Sequence, residues 1–210
     1  MTTTQTLDRH NTIIFDSGKV VFDISFDRTF QFWATVSGRQ FDDIKSKFRF
    51  EELSDKFERG EISEGQFRAE VSQRMNLKFS DKDFDNGWCD IYLDTYNGID
   101  NLLKDLKHIY KLVALTNTNI IHERVWKVKY ADTLRHFEKI FCSHEIKTRK
   151  PERKAYKIVL NDLQVKPQQT IFLDDNIDNI KGAEETGIAT IWVTSSRQMS
   201  DELKTKGLLT

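Results

Sequence analysis

One pattern constrains this chain more than any other: in its C-terminal half, short apolar runs break into polar residues and give way to stretches of helical periodicity. GIDNLLKDLK at 98–107 sets Ile99, Leu102, Leu103 and Leu106 at helical spacing. YKLVAL at 110–115 reads as a strand running into Thr116, Asn117, Thr118 and Asn119, with Asn119 placed to cap the helix IIHERVWKV. KIFCS at 139–143 is a further strand, and Lys150-Pro151-Glu152 opens a helix to Leu163 with the proline in its first turn. TIFL at 170–173 ends in Asp174-Asp175-Asn176, a helix over 177–186 stops at Gly187, and 190–193 is the last strand. Strands alternating with helices pair in parallel through right-handed crossovers, which predicts an α/β fold: a doubly wound parallel sheet with helices on both faces.

The first strand, Thr12–Phe15, is separated from the others by a long segment of different character. Residues 24–97 read as almost wholly helical, with Phe26, Phe30, Trp33, Phe41, Phe48, Phe50 and Phe57 at helical spacing. Ser63 and Gln66 form a capping-box pattern ahead of Phe67, Val71 and Met75, Ser80 is placed to cap another helix, and Gly38 and Gly60 stand where helices should stop. The expected organisation is a core of 11–23 and 98–210 with a helical insert at 24–97. An insert directly after strand one lies over the carboxyl ends of the strands, where open α/β sheets bind ligands, and so reads as a cap.

Charge narrows the function classes. Lys and Arg number 32 against 33 acidic residues, and no basic stripe interleaved with aromatics occurs, which argues against nucleic acid as a partner. Cys89 and Cys142 are far apart and lack metal-binding spacing. The opening MTTTQTLDRHN has no apolar leader, and no run is long enough to cross a bilayer, so the expectation is a cytoplasmic protein without membrane attachment.

Three strand ends carry the polar residues that matter: Asp16 after the first, Thr116-Asn117 after the second, Asp174-Asp175 after the fourth. With strand one at the switch point these ends converge on one crevice. Adjacent carboxylates there repel unless a cation neutralises them, which points to Mg²⁺, and Lys150 from a further loop supplies positive charge for an anionic substrate.

In this order and spacing the residues resemble the haloacid dehalogenase (HAD) superfamily from Asn11 onward. IIFDSGKVVFD is similar to its first motif, LTNTN to its second, RKPERKAY to its third and IFLDDNIDNIKGAEETG to its fourth. The insert position resembles the C1-cap class on a Rossmann-like core. FERGEIS and Gly87-Trp88 resemble bacterial sugar-phosphate phosphatases of the α-glucose-1-phosphatase-like group. The resemblance implies a Mg²⁺-dependent phosphatase acting on a small phosphorylated metabolite. Asp16 would be the nucleophile that forms an aspartyl-phosphate, Thr116 a phosphoryl ligand and Lys150 the charge-balancing lysine. Asp16, the Gly18 carbonyl and Asp175 would hold the metal, with Asp174 doing so directly or through a water; Asn117 is a substrate-binding candidate and, like Asn179, a candidate for loop support.

Three positions depart from the family pattern: Gly18, Lys19, and Thr148, which stands where relatives often have Gly just before the Arg-Lys-Pro run. Most phosphatases of the superfamily carry a second Asp, the general acid and base, where this chain has Gly18; the α-glucose-1-phosphatase-like relatives also carry glycine. Lys19 follows, in a turn where the family commonly has Gly or Asn. Gly18 keeps two alternatives open: a 2-haloacid dehalogenase, which works without metal and has no use for two adjacent carboxylates, and a catalytically weak HAD domain that binds or regulates. In the insert, Arg49 is a candidate to hold an anionic or hydroxyl-rich group and Trp88 to stack on a sugar face. Oligomeric state is not readable.

Overall fold

The computed structural model describes residues 10–209, so the polar opening segment and the leader expectation attached to it lie outside the described residues. In chain order the strands are β1 (Thr12–Phe15), β2 (Phe22–Ile24), β3 (Tyr92–Thr95), β4 (Lys111–Thr116), β5 (Lys139–Cys142), β6 (Thr170–Asp174) and β7 (Ala189–Trp192). Helices α1 (Phe26–Ser37), α2 (Phe41–Lys47), α3 (Glu51–Glu58), α4 (Glu64–Met75) and α5 (Asp81–Cys89) lie between β2 and β3. The remainder are α6 (Ile99–Leu106), α7 (Ile120–Lys129), α8 (Ala131–Leu134), α9 (Ser143–Ile146), α10 (Arg153–Leu163), α11 (Ile177–Glu184) and α12 (Ser196–Thr205).

The main sheet runs β5-β4-β1-β6-β7, and its pairings are parallel, which is the doubly wound Rossmann-like arrangement. Side chains on a strand alternate between faces, and here both faces are apolar. Ile13 and Phe15 join Leu112, Ala114, Ile171 and Leu173 in one core layer. Ile14 joins Val113, Leu115 and Phe172 in the other, under α10 and α11. Each large side chain buried in this way contributes about 1.5–3 kcal/mol relative to exposure.

The register fixes the site before any polar contact is considered. Phe15 pairs with Leu173 on β6, so Asp16 and Asp174, each one residue on, stand side by side. Both share the parity of Ile14 and Phe172 and turn toward the α10–α11 side of the sheet.

The insert has its own core of Phe30, Trp33, Phe57, Phe67, Phe84 and Trp88. Ser63 and Gln66 make the reciprocal capping box, and the Ser80 hydroxyl accepts from the Asp83 N–H. Gly87 lets α5 approach α1, since a Cβ there would lie 2.3 Å from the Trp33 indole. Two features differ from expectation. The base of the insert is not helical: β2 and β3 form an antiparallel pair, so the anticipated boundary at 23/24 falls inside β2. Strands of three and four residues are too short to display a period of two. The second difference is Pro151, which lies in the turn before α10, whose N-cap is Glu152. Lys150 is turned into the sheet at this point, and the helix starts only once the chain has left it.

Candidate active site

Asp16 is held by the sheet itself: its N–H donates to the Leu173 carbonyl at 2.8 Å. From the loop before α10, the Lys150 ammonium enters between the two neighbouring carboxylates, 2.7 Å from Asp16 Oδ1 and 2.7 Å from Asp174 Oδ2. Lys150 is 1 % exposed and Asp174 fully buried, so this pairing takes place out of water. Asp174 also accepts from the Asn179 amide at 3.0 and 3.1 Å and from the Asn176 N–H at 2.8 Å. Asn179 therefore supports the fourth loop directly. Asn117 spends both polar ends on Lys150, donating to its carbonyl and accepting from its N–H, each at 2.9 Å. It lines the cavity but positions the lysine loop rather than offering a free group to a substrate, which corrects its place among the substrate-binding candidates.

The electrostatics follow from burial. Desolvation pushes the Asp16 carboxyl up to about 7, with Lys150 opposing and the Asp174 charge reinforcing the rise. Desolvation works against the Lys150 ammonium, and the carboxylates of Asp16 and Asp174 more than offset it, so its pKa lies above the ordinary lysine range. Asp175, half-buried, is raised by desolvation and by Asp174, while Lys19 and Lys150 pull the other way. Three carboxylates thus share one buried ammonium. One oxygen from each of Asp16, Asp174 and Asp175 lies within 4.8 Å of the others. An all-oxygen set with excess negative charge fits a hard divalent cation such as Mg²⁺.

The turn after Asp16 explains both departures in the first motif. The Val21 N–H donates to the Ser17 carbonyl and the Lys19 N–H to the Phe22 carbonyl, closing it tightly. Lys19 lies at φ 59°, a left-handed conformation that Gly and Asn adopt most readily. Its ammonium stands 3.9 Å from Asp175 Oδ2 and is more than half exposed. A Cβ at Gly18 would meet Ile24 Cδ1 at 3.2 Å, so the room a side chain would need there is partly taken by Ile24.

Above these groups is a cavity of about 270 Å³, lined by Asp16, Thr116, Asn117, Lys150 and Asp175 from the core and by residues of the insert. Of the two insert candidates, Arg49 is not part of it. Its side chain is exposed and donates to the Phe48 carbonyl, so the expectation of an inward-facing arginine is corrected: the α2–α3 link turns Phe48 and Phe50 inward and leaves Arg49 in solvent. Trp88 does line the cavity, but it is 3 % exposed, stacked on His122 (centroids 4.7 Å apart, planes 16°) and packed by Trp33 and Phe67. No face is left free for a sugar to stack on.

Ser54 and Glu58, one turn apart on α3, are the insert side chains that bring a hydroxyl and a carboxyl to the cavity, and neither was singled out from the sequence. Glu58 stands inside FERGEIS, so a signal was present, but helical periodicity alone does not say which face looks down. Its Oε2 accepts from Arg149 Nε at 2.8 Å. Desolvation raises its pKa above the ordinary range, against the pull of Arg149 and Lys150. His122, also in the lining, has both ring nitrogens engaged: Nε2 is 2.9 Å from the Trp88 carbonyl and Nδ1 3.2 Å from the Asn119 amide nitrogen. Burial lowers its pKa to about 4, so the ring is neutral. The amide donates to Nδ1, which puts the ring proton on Nε2.

Comparison with known proteins agrees with this architecture. A family profile described as haloacid dehalogenase-like hydrolase matches residues 37–193. The HAD family enzyme bt-2542 of Bacteroides thetaiotaomicron is 28% identical, with a TM-score of 0.81 over 93% of this chain and 98% of that one. The same enzyme in complex with magnesium and inorganic phosphate is 30% identical, with a TM-score of 0.76 over 87% of this chain and 93% of that one. Bifunctional epoxide hydrolase 2 of Rattus norvegicus is 38% identical over 69 residues, which are 33% of this chain and 12% of that protein's length.

Proposed function

Because the chain belongs to the haloacid dehalogenase-like hydrolases, we propose that it is a Mg²⁺-dependent phosphatase that hydrolyses a small organic phosphate, a sugar phosphate in particular. The observation that carries this reading is the buried Lys150 bridging Asp16 and Asp174 beside Asp175 on the floor of the cavity. The Bacteroides enzyme with magnesium and inorganic phosphate supports it.

Asp16 is the nucleophile. Lys150 holds Oδ1, which leaves Oδ2 without a side-chain partner among the described residues and fixes its direction of attack. A carboxylate oxygen of Asp16 forms a bond to phosphorus as the ester P–O bond breaks, giving an aspartyl-phosphate that water then cleaves. Thr116, buried at the end of β4, is placed to bind a phosphoryl oxygen, and Lys150 offsets the charge that builds up on the transferring group. Asp16, the Gly18 carbonyl and Asp175 would hold Mg²⁺, with Asp174 doing so directly or through a water, and the ion would supply the positive charge that lets an anionic nucleophile and an anionic phosphate meet. The insert acts as the cap that excludes water and selects a small substrate.

A metal-free dehalogenase has no comparable use for Asp175 next to a buried Asp174, where one ammonium leaves excess negative charge. We place the protein in the cytoplasm; among the described residues no helix is long and apolar enough to cross a membrane, and both cysteines are free thiols.

Phosphate release from a panel including α-glucose 1-phosphate and glucose 6-phosphate tests the reading, run with Mg²⁺, with EDTA, and with Asp16→Asn. Release that needs the metal and disappears in Asp16→Asn is expected, with chloroacetate untouched. A phosphorylated Asp16 that accumulates without release would point instead to a binding role.

A further inference from the structure

The first motif lacks the carboxyl that serves most of these phosphatases as proton donor, because Gly18 has no side chain and Ile24 lies 3.2 Å from where its Cβ would stand. The leaving oxygen of an alkyl or sugar phosphate still needs a proton. Six ionisable side chains besides tyrosine line the cavity: Asp16, Lys19, Glu58, His122, Lys150 and Asp175. Asp16, Lys150 and Asp175 belong to the charged floor, Lys19 is mostly in solvent, and His122 is neutral with its Nε2 proton directed at the Trp88 carbonyl. Glu58 remains. It comes from α3 of the insert and lines the same cavity as the nucleophile. Arg149 engages only its Oε2, and among the described residues Oε1 carries no hydrogen bond.

We propose that Glu58 is the general acid and base of this site, delivered by the insert in place of the missing first-motif carboxyl. The proposal rests on the phosphatase reading above. In the first step an Asp16 oxygen bonds to phosphorus and the ester P–O bond breaks with its electron pair on the departing oxygen. The Glu58 carboxylic acid passes its proton to that oxygen, so the alcohol leaves neutral and Glu58 becomes a carboxylate. In the second step water attacks the phosphorus of the aspartyl-phosphate and Glu58 takes the water proton. The P–O bond to Asp16 breaks, returning the Asp16 carboxylate and releasing inorganic phosphate. The charged groups that face Glu58 suit both roles. Asp55 on its own helix and burial favour the acid form, while Arg149 and Lys150 from the core keep the carboxylate accessible. Because the donor rides on the insert, proton transfer is available only when the insert is docked. The pairing of Arg149 with both Asp55 (2.7 Å) and Glu58 (2.8 Å) contributes to that docking, together with Arg59–Glu152 and Arg124–Glu64.

The test compares leaving groups in single-turnover reactions of the whole protein with Mg²⁺. The probes are p-nitrophenyl phosphate, whose leaving group needs no proton, and benzyl phosphate, whose leaving group does. Glu58→Gln, near-isosteric and still able to accept from Arg149, is expected to slow benzyl alcohol release about 100-fold or more while p-nitrophenolate release stays within about threefold. With p-nitrophenyl phosphate in excess over the variant, a one-equivalent burst of p-nitrophenolate should precede slow turnover, since the second step has lost its base. Asp55→Asn, which loosens the Arg149 pairing and leaves the Glu58 carboxyl in place, should change both probes by one common factor. Should Glu58→Gln fail to fold, Glu58→Asp carries the same comparison, with benzyl phosphate slowed more than p-nitrophenyl phosphate. Equal slowing of both probes, no slowing of either, or the same split in Asp55→Asn would overturn the proposal while leaving the phosphatase reading intact. A wild type that cleaves neither probe, nor any phosphate of the panel, removes both.

Discussion

Asn117 grips Lys150 by its main chain: the amide nitrogen donates to the Lys150 carbonyl and the amide oxygen accepts from the Lys150 N–H, both at 2.9 Å. The end of β4 thereby fixes the loop whose side chain crosses to β1 and β6. Asn117→Ala removes the grip without touching a charge. Misplacing the ammonium by even about 1 Å is expected to lower kcat of phosphate release by roughly 100-fold, with KM moved far less. Two lost hydrogen bonds should cost about 1–3 kcal/mol in urea melts. A variant with wild-type kcat would show that the lysine loop needs no such support.

Lys150 offers a sharper stability test. Its buried ammonium is shared by Asp16 and Asp174, each 2.7 Å away. Lys150→Met leaves two neighbouring carboxylates facing each other in a dry site. In EDTA, so that no cation substitutes, the loss should be about 3–5 kcal/mol in urea unfolding at pH 7. Adding Asp174→Asn should return part of it, because one of the two charges is gone. Simple additivity of the two substitutions would mean that the carboxylates do not interact through the lysine.

Which parts of this arrangement were legible in the sequence follows from where the signal is local. The strands β1, β4 and β6 announce themselves because both of their faces are apolar, and their ends announce Asp16, Thr116 and Asp174. The convergence of those ends follows from the strand order. The α7 cap Asn119 is likewise local, a side chain accepting from an N–H three residues on. What stayed hidden is set by tertiary rotation. Periodicity gives the helices of the insert but not their roll about the axis, so it does not tell that Arg49 faces solvent and Glu58 lines the cavity. Trp88 was seen as an aromatic at the site, but that its ring would be enclosed by Trp33, Phe67 and His122 depends on three separate segments. The β2–β3 pair is hidden for a related reason: each strand pairs with the other, about seventy residues away.

Gly87 ties a sequence motif to packing. Alanine is ordinarily the better residue inside a helix, yet a Cβ at this position would stand 2.3 Å from Trp33, which is fully buried and donates from Nε1 to the Phe84 carbonyl. The indole has nowhere to retreat, so α5 and α1 must separate. Gly87→Ala is expected to destabilise by about 1–3 kcal/mol despite the gain in helix propensity. Trp33 fluorescence should report the shift. A variant as stable as wild type would mean that the two helices are less tightly packed than this contact requires.

His122 makes stability depend on acid in a defined window. The ring is buried between Trp88 and Asn119, and its pKa is lowered to about 4, well under the 6.5 of an exposed imidazole. Between those values the unfolded chain binds a proton that the folded chain refuses, so stability rises with pH there. The contribution is fully present above about pH 6.5 and is lost as pH falls toward 4, a difference on the order of 3 kcal/mol. Other groups titrate in the same range, which is why the comparison must be made against a variant. His122→Gln keeps a donor for the Trp88 carbonyl and cannot be protonated. Urea melts at pH 7 and pH 4.5 should show wild type losing more stability than His122→Gln, so that any lead it holds at pH 7 shrinks on acidification. Parallel losses in the two proteins would mean that the imidazole takes up its proton without leaving its buried position.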